Sequence, residues 1–218
     1  MSVFESARAN MIECQIRPNK VTDERVIGAF ARLRRELFVP EALRGVAYGD
    51  DDLPLGGGRY LMQPMVTARL LQAAAIERKD AALVVGAGIG YEAALAALLG
   101  RSVVALEEDL ELARRGRAAL VDHRIAAVSY VEAPAVRGHR PRAPYDVILF
   151  GGAVAEIPAE IAAQLAEGGR MLAVLRPEAA VGRATLVTRT GGLLAHRVMF
   201  DATTPLLPGF YPKPAFVF

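Results

Sequence analysis

Along the chain, short unbroken apolar runs alternate with segments whose apolar residues recur at helical spacing. The runs at residues 81–85, 102–106, 127–131, 146–150 and 170–175 predict strands, and those at 81–85 and 146–150 read as covered on both faces. Between them, residues 91–99, 109–120 and 158–166 read as helices, the last stopped by Gly168 and Gly169. Strand, helix, strand repeated in this way predicts an α/β fold. Its core is a doubly wound, mainly parallel, Rossmann-like sheet with helices on both faces. Residues 183–190 and 193–200, joined at Gly191 and Gly192, predict a closing antiparallel hairpin.

The N-terminal 45 residues carry more charge and read as helical. Thr22 is placed to cap a helix with Asp23 and Glu24 in its first turn and Val26, Ile27, Phe30 and Leu33 on one face. Residues 15–20 read as a loop broken at Pro18, and Pro40 opens a short helical turn. The run from 48 to 58 holds Asp50, Asp51, Asp52, Pro54 and Gly56 to Gly58, the composition of a solvated loop. Pro64 then starts a helix reaching about Ala75, with Met65, Ala68, Leu71 and Ala75 spaced to face inward. The tail from 201 to 218 is proline-rich and irregular, although 215–218 could add an edge strand. These divisions give one domain: a helical segment with its loop at 1–60, a core at 61–200 and a tail at 201–218.

Candidate chemistry centres on the turn after the first buried run. Gly86, Gly88 and Gly90 occupy every second position between strand and helix. Glycines there allow positive φ and close approach of a ligand to the backbone, beside helix amides that favour negative charge. The next strand ends at Glu107, about twenty residues on, where a doubly wound sheet presents a carboxylate to ribose hydroxyls. Together these make a nucleotide-cofactor site. The GxGxG spacing differs from the GxGxxG dinucleotide fingerprint, so a nicotinamide-dependent oxidoreductase fits the turn and Glu107 but not the spacing.

Composition narrows the partners. The net charge is +2 with scattered basic residues, which gives no footprint for nucleic acid. The single cysteine, Cys14, excludes an intramolecular disulfide, and His123, His139 and His196 are too far apart in sequence for a metal motif. No apolar run reaches membrane-span length, and the first residues lack a signal-like core, so the expectation is a cytoplasmic protein.

Beyond these readings, several blocks in order resemble the protein-L-isoaspartate O-methyltransferase family of S-adenosylmethionine-dependent enzymes. They are VTDERVIGAFARLRRELFVPEALRGVAY from Val21, LMQP from Leu61, APYDVIL from Ala143, AEIP from Ala155 and LAEGGRMLAVL from Leu165. The resemblance implies S-adenosylmethionine as cofactor, held at Gly86, Gly88, Gly90 and Glu107, and a damaged protein or peptide as substrate. Methyl transfer to the carboxylate of an isoaspartyl residue, a protein-repair step, would then involve the loop at Tyr60, Met62 and Gln63. The chain also departs from the family. Val84 stands where the family has an acidic residue, Ala87 and Ile89 replace small hydroxyl residues, Ala133-Pro134-Ala135 replaces glycine-aspartate-glycine, and Met62 replaces a serine. These departures set up a second reading, a catalytically degenerate homologue that serves as a binding or interaction module.

Overall fold

The computed structural model describes residues 2–177 and 181–212. The chain opens with α1 (Val3–Met11), held by a reciprocal capping box between Ser2 and Glu5, and α2 (Glu24–Arg32). Asp23, not Thr22, caps α2, because its carboxylate accepts the Arg25 backbone N–H. Val26, Ile27, Phe30 and Leu33 are all buried. Residues 15–20 are helical, contrary to the loop expected there. A π-turn (Ile12–Ile16) runs into a 3-10 turn (Arg17–Asn19) that ends with Lys20 at φ 64. Pro18 sits in the first turn of the 3-10 segment, where its missing N–H costs nothing.

The acidic and glycine-rich stretch is also more ordered than a solvated loop. Leu53 and Leu55 are buried and form β1 (Leu53–Gly56), which pairs antiparallel with β2 (Arg59–Leu61). Alternation over these few residues was masked by the neighbouring aspartates and glycines. Helix α3 (Pro64–Ala74) begins at Pro64 as expected and ends at Ala75 with φ 46. Ala68 and Leu71 are buried, but Ala75 lies outside the helix and is exposed.

The main sheet comprises β3 (Ala81–Val85), β4 (Ser102–Leu106), β5 (Val128–Val131), β6 (Tyr145–Val154), β7 (Leu165–Leu175), β8 (Arg183–Thr190) and β9 (Leu193–Asp201). Their spatial order is β5-β4-β3-β6-β7-β8-β9, with the β7–β8 and β8–β9 pairings antiparallel and the other four parallel. Helices α4 (Tyr91–Leu99), α5 (Leu110–Asp122) and α6 (Ala159–Ala162) occupy the crossovers. The predicted helix at 158–166 keeps only four residues, because β7 takes Leu165 onward and runs through both glycines.

Period-two side chains divide the core between the sheet's two faces. Ala82, Val84, Val103, Ala105, Val147 and Leu149 join the cluster that holds the apolar residues of α1 to α5. Leu83, Val85, Val104, Leu106, Ile148 and Phe150 point the other way, toward α6 and the tail residues Leu207 and Phe210. One face is therefore thickly helical and the other is closed partly by the tail. The possible edge strand at 215–218 lies outside the described residues.

Candidate functional site

After β3 and its crossovers the chain builds β4 and β5 on one side, then returns to place β6 and β7 on the other. The carboxyl ends of β3 and β6 therefore flank a topological switch point, the crevice where open α/β sheets bind ligands. The glycine turn sits there. Gly86, Gly88 and Gly90 have φ of 68, 54 and 85, conformations that a side chain would strain. The Gly86 and Ala87 amides both donate to the Leu106 carbonyl at 3.0 Å, which ties the turn to the end of β4. Gly90 then caps α4, a helix buried nearly all round, as its alanine-rich sequence permits.

Glu107, at the tip of β4, is fully buried beside the turn. It accepts the Gly88 amide at 2.7 Å and the Asp109 amide at 3.0 Å. It also accepts Arg59, whose Nη2 lies 3.0 Å from Oε1 and whose Nε lies 3.1 Å from Oε2. Arg59 comes from β2, is 2% exposed and also reaches Glu108 at 3.5 Å. Its Nη1 is buried without a hydrogen-bond partner among the described residues. A carboxylate oxygen pair with these neighbours has its acceptor positions largely filled.

The positions that depart from the family are apolar in fact as well as in letter. Val84, Ala87 and Ile89 are 0%, 2% and 2% exposed and belong to the core. At the end of β5, the Ala135 amide reaches Glu108 at 3.5 Å beside Pro134. Of the substrate-side candidates, Tyr60 is exposed, Gln63 is half-buried and Met62 is buried. Their backbones are firmly held: the Gln63 amide donates to Asp52 at 3.0 Å, and the Met62 carbonyl accepts Arg35 Nη2 at 2.8 Å. These three candidates thus share a segment but present different surroundings.

A second polar group lies beneath that segment. Arg35 is fully buried, donates to the Ala47 carbonyl at 2.7 Å and stacks 4.9 Å from the Tyr91 ring centre. Next to Tyr91, Glu92 occupies the first turn of α4, and its Oε1 is buried without a hydrogen-bond partner among the described residues. Burial pushes Glu92 up to about 7, and the nearby Asp52 charge adds to this, while its own amide and Arg35 pull the other way. Asp52 is itself raised, chiefly by burial, against hydrogen bonds from Gln63 and Thr204. Arg35 and Asp52 gave little signal in sequence, because each sits in a charged run that reads as surface, whereas Glu92 stands close to the glycine turn in the chain.

The crevice also contains a residue from the tail. A Cβ on Gly86 would lie 2.9 Å from the Leu207 methyls, and one on Gly152 would lie 2.8 Å from Leu207 Cδ2. Leu55 covers Gly88 in the same way, with its Cδ1 3.1 Å from such a Cβ. S-Adenosylmethionine would need Glu107 for its ribose hydroxyls and open backbone at Gly86 for its chain. The backbone shape suits that ligand. The side chains as arranged do not, because Arg59 occupies the carboxylate and Leu207 the crevice.

The model of the family described as protein-L-isoaspartate(D-aspartate) O-methyltransferase matches residues 6–198. A protein-L-isoaspartate O-methyltransferase of Methanoculleus marisnigri is 38% identical over 184 residues, covering 84% of each chain. The enzyme of that name from Koribacter versatilis is 40% identical over 169 residues, covering 78% of this chain and 76% of the relative. Among solved structures, a protein-L-isoaspartate O-methyltransferase superposes with a TM-score of 0.80 at 23% identity, covering 94% of this chain and 67% of that one. A structure from Plasmodium falciparum, titled a putative protein-L-isoaspartate O-methyltransferase in complex with S-adenosyl-L-homocysteine, gives 0.79 at 17% identity, covering 95% and 99%. A glycine turn at the switch point, a strand-end carboxylate and this agreement over most of the sequence lead to one conclusion: the chain belongs to the protein-L-isoaspartate(D-aspartate) O-methyltransferase family.

Proposed function

We propose that this protein is an S-adenosylmethionine-dependent methyltransferase that esterifies the side-chain carboxylate of isoaspartyl residues in damaged proteins. The observation that carries the reading is the family match over residues 6–198. The three-glycine turn and Glu107 at the switch point support it. The cofactor supplies an activated methyl group, and a carboxylate is already a nucleophile. The protein's part is therefore to align donor and acceptor and to keep water out, more than to move protons. Gly86, Gly88, Gly90 and Glu107 are the proposed cofactor positions, and Tyr60, Met62 and Gln63 the proposed substrate segment.

The direct test supplies S-adenosylmethionine labelled in its methyl group together with an isoaspartyl peptide and the matching aspartyl peptide. Base-labile label on the isoaspartyl peptide alone is the expected result; label on neither contradicts the proposal. That second outcome would favour a non-catalytic binding or interaction module, a reading supported by the Arg59 occupation of Glu107 and by buried Met62. A cytoplasmic site of action belongs to the same proposal: Cys14 is an exposed free thiol, and no helix among the described residues is long and apolar enough to cross a membrane.

A further inference from the structure

We propose that Arg59 and Leu207 together form an internal occupant of the switch-point crevice, so that an adenosyl ligand enters only after both side chains have withdrawn. The inference rests on the methyltransferase reading for its ligand. Arg59 places its guanidinium on the carboxylate that ribose hydroxyls would use, with both partners almost wholly buried. Leu207 places its methyls against Gly86 and Gly152, one on each side of the crevice between β3 and β6. The two residues thus cover the ribose end and the turn end of one groove.

Both occupants ride on segments that lie outside the main sheet. Arg59 belongs to a hairpin of four- and three-residue strands, with Gly57 and Gly58 at φ of 57 and 72 in its turn. Its two strands pair only with each other and not with the main sheet, so the hairpin can lift without unpairing that sheet. Leu207 lies in the irregular tail, which is tied to the end of β6 by the Leu207 amide to Ala153, the Ala153 amide to Pro205 and the Ala155 amide to Phe210. Phe210 packs edge-on against Phe150 and anchors the far side of the tail.

The ion pair has reason to open. Removing both charges from water offsets much of their attraction, and the unpartnered Arg59 Nη1 forgoes hydration that it would regain outside. A ligand whose hydroxyls and amine replace the lost contacts competes with a contact of small net value. Such an arrangement lowers apparent affinity by the fraction of molecules that are open.

Calorimetric titration with S-adenosylhomocysteine, on the wild type, Arg59→Gln and Leu207→Ala, tests the proposal, with hydrogen exchange on the wild type as a second readout. Both variants are expected to bind about tenfold more tightly than the wild type, and saturation is expected to strip protection from the Leu207 amide. Leu207→Ala keeps the test intact if Arg59→Gln leaves Glu107 too poorly compensated to fold. Wild-type binding that neither variant improves, or a Leu207 amide still protected in the saturated complex, overturns the occupant while leaving the methyltransferase reading in place. Absence of binding by all three proteins at millimolar ligand overturns the occupant and the cofactor assignment together.

Discussion

Glu92 is a buried carboxyl group whose ionisation the fold opposes. Its folded value of about 7 lies above the ordinary 4.5, mainly through burial. A raised value means that the folded state favours the protonated form. Its contribution to stability is therefore complete below about pH 4.5 and lost as pH rises through about 7. The shift corresponds to roughly 3 kcal/mol as an upper bound, and thermal unfolding reads it as several degrees in a chain of this size. Glu92→Gln is expected to leave the melting temperature near the wild-type value at pH 5 and to raise it at pH 8. A difference independent of pH would contradict this account. Residues of this kind were the hardest to read from sequence. Glycines declare a backbone need by themselves, and Gly86, Gly88 and Gly90 do adopt positive φ. Arg59 lies near the candidate site in the sequence, but its pairing with Glu107, 48 positions away, is visible only in the fold.

At the scale of elements, α5 and β5 show how closely the glycine turn is supported from behind. The Tyr130 hydroxyl on β5 donates to the Gly88 carbonyl at 3.2 Å. Gly116 on α5 makes room for that ring: a Cβ there would lie 1.9 Å from the Tyr130 hydroxyl oxygen and 2.9 Å from the Ile89 carbonyl. Gly116→Ala is therefore expected to destabilise the protein by about 1–3 kcal/mol through overpacking. Tyr130→Phe in the same chain is expected to recover little of that loss, because the ring Cζ would still lie 2.4 Å from the added Cβ. Equal stability of Gly116→Ala and wild type in urea unfolding would contradict the packing described here. Elements with long unbroken apolar runs, β3, β4 and β6, were legible because burial on both faces leaves a strong pattern. The β1–β2 hairpin was not, since its few alternating residues stand among aspartates and glycines. The predicted helix at 158–166 failed for a different reason: pairing with β6 and β8 claimed Leu165 and the residues after it, and sheet pairing outweighed helix propensity.

For the whole molecule, the mainly parallel core followed from the alternation of strands and helices, while the strand order, and with it the switch point that positions the site, came from the fold. The uneven covering of the sheet did not follow. A proline-rich tail carries no period, so nothing in its composition indicated that Leu207 and Phe210 would complete the thinner face. That same feature places Leu207 in the crevice, and it joins fold and function. This crevice, between Gly86 and Glu107, is the proposed binding site of the adenosyl cofactor. The most direct measurement is a crystal structure of the protein grown with S-adenosylhomocysteine. The expected result is ligand density over Gly86 with ribose hydroxyls on Glu107, Arg59 turned away from that carboxylate and Leu207 displaced. Arg59 still bound to Glu107, with ligand density elsewhere or nowhere, would contradict it.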